Sequence, residues 1–394
     1  MNSTRRAALT GCAAVAAAAL GGLGYRAKER GVWSSGKGSA YAPWNAWRGS
    51  DADGIIRPLR AAILAANPHD TQAWLFRVKE KVITLFADRA RNLGSFDPFR
   101  REMHLGLGAA VENLVLAARA AGFSAEVIVA DGRLALSPDD TPVLAARISL
   151  APVAPARGGL FEAVQARHTN RGAYRPDQSV GAEQLRHFAD LITDEQVHAV
   201  FVTEPPARRD LGALIIDATR RIVLDPQMSA DSAHWFRTGG RDIAAHRDGV
   251  TVDTSGASAL VTAVAKLLPD LDAKSADRYW LASTRDLQVP TAPVLGMLLV
   301  RDRFDMRAAL QAGRAWQRLH LALTAAGLAA QPLNQPVECA DRSAMLGRPD
   351  EFQRASASFG APPGWEPTFM FRLGSAEVAA GPSPRRALAE VLLS

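Results

Sequence analysis

The sequence predicts an α+β chain made of two related halves. Two long helical patterns resemble each other, short β-type runs alternate with helices, and each long pattern leads on toward a β-type run. Aligned without a gap, residues 108–123 (GAAVENLVLAARAAGF) and 313–328 (GRAWQRLHLALTAAGL) match at 8 of 16 positions, among them Gly108/Gly313, Leu114/Leu319, Leu116/Leu321 and Gly122/Gly327. Small and apolar residues at helical spacing predict closely packed, buried faces. Gly122 and Gly327 are expected as C-caps. A β-type run at 126–130 follows the first helix, and one at 369–373 follows the second at a distance. A recurring unit in a recurring context predicts an internal duplication, a pseudo-dimer of two αβ halves.

The first half is expected over 40–155. A helix near 55–66 ends at Asn67-Pro68, a hairpin follows over 74–78 and Val82–Ala87 with its turn at Lys79-Glu80-Lys81, and Pro138, Pro142, Pro152 and Pro155 punctuate the exit. The second half is expected over 156–394. It reads as a helix to about Arg167, a helix near 182–191, a strand at 197–203, a helix over 206–224 and a strand at Val294–Val300. Between the last two lies a polar, mostly helical insert at about 225–290, long enough for a lid or a peripheral packing element.

Apolar residues make up 48% and charged residues 22% of the 394, the balance of a globular chain with a core. Mean hydropathy of −0.04 argues against a polytopic membrane protein. Residues 1–40 carry a net charge of +5 of the total +6, so the body is near neutral and a nucleic-acid partner is not expected. The adjacent Arg5-Arg6 before a mild Ala/Gly-rich run to Leu23 resembles a twin-arginine signal, so residues 1–39 are read as signal and linker, with export to the periplasm or the outer face of the cytoplasmic membrane. The run is near the lower limit for a spanning helix, so a cleaved signal and an uncleaved anchor both stay open. Cys12 falls in the leader and leaves Cys339 alone in the body, so no internal disulfide can form there. Cys339 reads as an inert thiol in a polar loop.

Four segments have chemistry to offer. Arg167-His168-Thr169-Asn170-Arg171 ends a helical pattern; two arginines four apart on one helical face could grip a phosphate, although taken alone a solvated basic corner is the better account of them. Asn67-Pro68-His69-Asp70-Thr71-Gln72-Ala73-Trp74 packs short polar side chains into a turn before a strand, as an aromatic heterocycle would need and as an ordinary turn also has. Gln331 to Glu338 reads as a stiff loop with Pro332 and Pro336. Ser383-Pro384-Arg385-Arg386 could add charge to a phosphate site or cap a final helix. Gly106-x-Gly108 follows no strand and lacks a third glycine, and neither a G-x-S-x-G motif nor a P-loop is present. The histidines form no ligand pair, so no zinc site is expected.

In this order the four segments resemble nitroreductase-like flavoproteins, and the layout is similar to the Acg-like branch, in which two such halves are fused. The resemblance spans about 40–394. It rests on Arg167 to Arg171 (the family's R-x-S-x-R), Asn67 to Trp74 (its S-x-x-N-x-Q-P-W), Gly327 to Pro332 (its G-L-x-x-x-P) and Arg385-Arg386 (its basic C-terminal stretch). It implies one FMN between the halves, held by Arg167, Thr169 and Arg171, by Pro332, Leu333, Asn334 and Gln335, and by Arg385 and Arg386 from half two, with Asn67, Pro68, Asp70 and Gln72 from half one. No side chain need be catalytic, because flavin N5 would carry the chemistry from NAD(P)H or another donor to a small electron-poor acceptor. Asp70 departs from the family's Asn, Ala73 from its Pro and Thr169 from its Ser. The carboxylate, together with a lid, opens a second reading, an FMN-sequestering protein. An internal pseudo-dimer is compatible with a monomer.

Overall fold

The computed structural model describes residues 24–269 and 271–394. The twin-arginine expectation falls on residues 1–23 and lies outside the described residues. Eleven strands are named here: β1 (Trp74–Lys79), β2 (Val82–Ala87), β3 (Phe123–Val129), β4 (Val143–Pro152), β5 (His198–Val202), β6 (Phe236–Arg237), β7 (Val250–Thr251), β8 (Val294–Val300), β9 (Ala329–Pro332), β10 (Glu366–Gly374) and β11 (Leu392–Leu393). They form a sheet of order β11-β1-β2-β4-β3, a second of order β5-β8-β10-β9, and the small β6-β7 pair.

Set β1 against β5, β2 against β8, β3 against β9 and β4 against β10, and the two large sheets have one and the same order. Every corresponding pairing is antiparallel. The fold is therefore α+β and internally duplicated. Only the parallel β11 on β1 is extra, a strand that returns from the C-terminus to the first sheet. The repeat differs from expectation in one place. The counterpart of β3 is β9, whereas residues 369–373 belong to β10 and correspond to β4. β9 lies in what reads as a stiff loop, because Ala329–Pro332 pairs with β10 along its edge and leaves Pro332 at the strand end, where its missing N–H is tolerated.

The two halves meet along α1 (Arg101–Ala120) and α2 (Met306–Ala325). A Cβ on Gly108 would stand 1.9 Å from the Leu310 carbonyl oxygen, and one on Gly313 would stand 2.0 Å from that of Leu105. Leu105 and Leu310 occupy equivalent places in the repeat, so the contact is reciprocal, as in a two-fold dimer interface. The polar contacts beside it repeat the symmetry. Gln317 donates to Asn113 at 2.8 Å, and the equivalent residues Glu112 and Arg318 form an ion pair. Gly122 (φ +89°) and Gly327 (φ +75°) end the two helices in the left-handed conformation, as their C-cap reading requires.

The insert consists of short helices, Pro226–Ala233, Gly240–His246, Ala259–Leu267 and Ala273–Ser283, around the β6-β7 pair. Residues 24–41, expected as linker and the start of half one, dock on it: Arg26 donates to the Leu267 and Leu268 carbonyls at 2.7 and 3.0 Å, and Lys266 Nζ to Gly31 O at 3.0 Å and Ser35 Oγ at 2.8 Å. Among the described residues no helix is long and apolar enough to cross a membrane.

Gly108→Ala and Gly313→Ala are each expected to cost about 3 kcal/mol or more, since backbone and not a movable side chain stands in the way. Gly158→Ala, with nothing within 4 Å of its added Cβ, should be near neutral. Urea unfolding of the three variants checks this.

Candidate functional site

The turn from Asn67 to Trp74 lies where the two halves, the C-terminal tail and the insert meet. Three of its non-glycine residues have positive φ: His69 (+46°), Asp70 (+55°) and Gln72 (+51°). Each such residue costs on the order of 1 kcal/mol or more and persists only where its surroundings over-determine it. Here Asn67 Oδ1 accepts from Gln72 N at 2.7 Å, Asn67 Nδ2 donates to Asp70 Oδ1 at 3.2 Å, and Gly249 N of the insert donates to Asp70 O at 3.2 Å. Gly106 of α1 makes room for the turn, because a Cβ there would lie 3.1 Å from Asn67 and Pro68.

Around this turn the structure collects cations. Arg385, nearly fully buried, donates to Asp70 Oδ1 at 2.5 Å and to the Ala65 carbonyl at 3.2 Å, with its guanidinium 5.0 Å from the centre of the Trp44 ring. Arg167, also buried, donates to the Leu64 carbonyl at 3.0 Å. Arg171 donates to the Thr254 carbonyl of the insert at 3.2 Å. Asp70 is thus the carboxylate within this group of three guanidiniums. The Nε atoms of Arg167 and Arg385 are buried and have no hydrogen-bond partner among the described residues. Burial pushes Arg167 down to about 9, with the Arg385 charge acting in the same direction. Burial pushes the Asp70 carboxyl up to about 6 against the pull of Arg385. A cluster with surplus buried cations and unused N–H groups is chemically suited to an anion.

The remaining expected residues divide. Gln72 ties the turn to two other segments: its Nε2 donates to the Arg247 carbonyl at 2.9 Å and its Oε1 accepts from Arg386 N at 2.8 Å. Thr169 is half-buried, and its hydroxyl makes no hydrogen bond to a described residue. Pro332 ends β9, and Leu333 is buried in an apolar cluster with Met370. Asn334 accepts from Met370 N at 3.0 Å and donates to Glu102. Gln335 opens α3 (Gln335–Met345), buried and with its Oε1 unpartnered. Asn170 N donates to the Ala330 carbonyl at 3.1 Å, so the Arg167 to Arg171 segment lies beside β9.

Three expectations need correction. Arg167 and Arg171 do not share a helical face: the helix stops at Glu162, a turn follows, and 167–171 is irregular chain. The 331–338 segment is not a loop but the end of β9 and the start of α3. Cys339 accordingly sits buried on that helix rather than in a polar loop, and its thiol is pushed far up by burial. Arg385 and Arg386 precede the single-turn 3-10 helix Leu388–Glu390, and Arg386 donates to the Glu390 carbonyl at its end at 2.9 Å.

The sequence reading missed several participants. Trp44, packed on Arg385, and Tyr41, near Asp70, come from a segment read as domain margin. The Tyr41 phenol is buried near both Asp70 and Asp253, and it also lines a neighbouring cavity of about 240 Å³ with Lys37, Gly240 and Lys266. Arg372, a charge inside the apolar run FMFRL, could have been noticed. It lies 3.9 Å from the Tyr174 ring centre and donates to Gly172 O at 2.6 Å and Gln331 Oε1 at 2.7 Å, which binds the Arg167 to Arg171 segment to the second sheet. The insert closes directly on the site. Besides Arg171–Thr254 and Gly249–Asp70, His69 Nε2 lies 3.0 Å from Ser232 Oγ, and Gly256 packs so tightly on Arg171-Gly172 that a Cβ would stand 2.3 Å from Gly172 N. Among the described residues no cluster of His, Cys, Asp or Glu could hold a metal ion.

Fold and site together define an internally duplicated α+β chain with a cluster of buried cations where its halves meet. It is similar to two Mycobacterium tuberculosis proteins, MT3217 (strain CDC 1551) and Rv3131 (strain H37Rv), each provisionally named NAD(P)H nitroreductase; each is 27% identical over 351 residues, covering 87% of this chain and 92% of the relative. No family model matches the chain. Among solved structures it is similar to the FMN-dependent nitroreductase NfnB of Mycobacterium smegmatis in complex with NADPH (19% identity, TM-score 0.39, 60% of this chain and 97% of that one). It is also similar to an Anabaena variabilis protein provisionally named nitroreductase (11% identity, TM-score 0.42, 75% of this chain and 69% of that one).

Removing Arg385 leaves Asp70 buried with its nearest cation gone. Arg385→Met should cost about 3–5 kcal/mol, and the double variant Asp70→Asn/Arg385→Met should cost less, both read by denaturant titration. Burial holds His104 down at about 4 and His168 at about 3. Both values lie below the ordinary one, so the stability each confers is present above about pH 6.5 and is lost as pH falls toward the folded value. Asp70, raised to about 6, acts in the opposite sense, its contribution being lost as pH rises through 6. The advantage of the wild type over His104→Gln should therefore shrink between pH 7 and pH 5, measured by urea midpoints at the two values.

Proposed function

We propose that this chain is an FMN-dependent oxidoreductase of the Acg-like kind, with half one over 40–155, half two over 156–394 and a single FMN between them. The observation that carries the reading is the convergence of Arg167, Arg171 and Arg385 on a strained turn of the other half, with buried N–H groups left over. The residues fit the group. Arg167 and Arg385 would neutralise the phosphate, with the Thr169 hydroxyl within the same segment. Arg171, Asn67, Asp70 and Gln72 would offer charge, donors and acceptors to a heterocycle, and the backbone from Pro332, Leu333 and Asn334 to Gln335 would face it from the other side. Bound FMN would accept a hydride and pass electrons on, and a cation such as Arg171 favours a reduced, anionic ring. The names of the mycobacterial relatives support NAD(P)H as donor, and the acceptor is a small electron-poor molecule. Residues 1–39 are assigned to twin-arginine export of the folded chain toward the periplasm.

A second reading, an FMN-sequestering protein, is favoured by the hydrogen bonds that close the insert over the site. The visible spectrum of the purified chain, before and after anaerobic NADH or NADPH, separates the two. A flavin spectrum that bleaches supports the oxidoreductase; one that persists with every nicotinamide and quinol donor supports sequestration. No flavin, even after incubation with FMN, sinks both. Arg167→Ala/Arg171→Ala should weaken FMN retention by at least about tenfold. Unchanged retention would remove these residues from the site.

A further inference from the structure

The helix Ala259–Leu267 of the insert is inside out. Its buried residues are Thr262 and Lys266, while Leu260 is 75% exposed, Val261 56% and Val264 49%. Leu268 and Leu271, just beyond it, are 56% and 63% exposed. Residues 260, 264 and 268 recur at the four-residue helical spacing, so the apolar side chains form one outward stripe. The inversion is held in place from within. Lys266 is drawn inward by Asp253 at 2.9 Å, Ser35 at 2.8 Å and the Gly31 carbonyl at 3.0 Å, which turns the leucines and valines out. A water-facing helix does the reverse, and clustered apolar exposure marks an interaction surface.

What lies beside the stripe identifies its occupant. Arg26 is bonded to the Leu267 and Leu268 carbonyls, which places residues 24–30 against the end of this helix. That segment carries Tyr25, 61% exposed, and the next turn carries Trp33, 69% exposed. The same stretch of sequence holds the cations Arg26, Lys28, Arg30 and Lys37, with Glu29 as its acid. Amphipathic aromatics, an apolar stripe and a basic rim together match the boundary between lipid headgroups and acyl chains. A helix of nine residues is too short to span a bilayer and suits lying in its surface.

We infer that the face formed by the Ala259–Leu267 helix, Leu268, Leu271, Tyr25 and Trp33 docks on an anionic membrane surface. This does not depend on the flavin reading. It puts the insert that covers the candidate site in contact with lipid, so docking and the closure of the site involve one element.

The test uses the full chain in a Cys12→Ser background. Val264→Cys is labelled with an environment-sensitive fluorophore, and Val378→Cys, exposed elsewhere on the surface, is the control. Cys339 is buried and stays unlabelled. On addition of vesicles of phosphatidylglycerol and phosphatidylcholine, the label at 264 should shift to the blue while that at 378 does not. Replacing Leu260, Val264 and Leu268 together with Ser should lower partitioning at least about tenfold, as expected for the loss of several buried methyl groups. Vesicles of phosphatidylcholine alone should bind more weakly. A label at 264 that stays water-exposed on vesicle-bound protein would overturn the proposal, whatever the leader contributes. So would a vesicle-independent shift that follows protein concentration in step with dimer formation, which would assign the face to a second copy.

Discussion

The contact between α1 and α2 constrains everything built around it. Gly108 rests against the backbone at Leu310 and Gly313 against that at Leu105, so neither position admits a side chain without moving a helix. An approach this close aligns the helices about a pseudo-two-fold axis and brings Glu112, Asn113, Gln317 and Arg318 into symmetric pairs. It also fixes the distance between the two sheets. Segments far apart in sequence can then meet, and the turn before β1 comes to face the irregular chain near the start of the second half.

The pocket illustrates how a duplicated frame becomes asymmetric. Only one half contributes the Arg167 to Arg171 segment, and only the other contributes the strained Asn67 to Gln72 turn. The C-terminal tail crosses back to the first half, where Arg385 N donates to the Ala40 carbonyl at 2.7 Å and β11 joins β1. That crossing delivers Arg385 to Asp70. Burying guanidiniums in excess of carboxylates disfavours folding unless carbonyls and anions compensate them. Leu64, Ala65 and Thr254 supply the carbonyls, and Asp70 supplies part of the negative charge. The strain at His69, Asp70 and Gln72 is tolerated because four segments converge on it.

A second buried polar centre flanks the first. Arg101 pairs with Asp341 at 2.7 Å, Arg303 with Asp341 at 3.0 Å and Glu366 at 2.8 Å, and Asn334 bridges to Glu102. Burial raises the carboxyls of both Glu102 and Glu338, and the charge of Glu102 pushes Glu338 further in the same direction. This network locks the start of α1 to α3 and thereby holds Asn334 in place. It is carried by the side chains of Arg101 and Glu102, two residues that the sequence does not single out.

By itself the sequence determined what short-range physics controls. The helical period, the glycine caps at 122 and 327, the hairpin of β1 and β2 and the similarity of the two long helices all follow from interactions among near neighbours, and each is legible without coordinates. The polar segments that form the pocket could be picked out, because their residue types are unusual for turns and strand ends. Their arrangement could not. The helical face once assigned to Arg167 and Arg171 is absent, and β9 was hidden because its partner β10 lies some 35 residues on, across α3. Only the tertiary structure decided that Asp70 meets Arg385 across 315 positions, that the insert closes on both, and that Lys266 turns inward and leaves leucines outside. Those outcomes depend on which buried charges find partners, and a charge has no sequence signature for a partner that only the folded chain brings within reach.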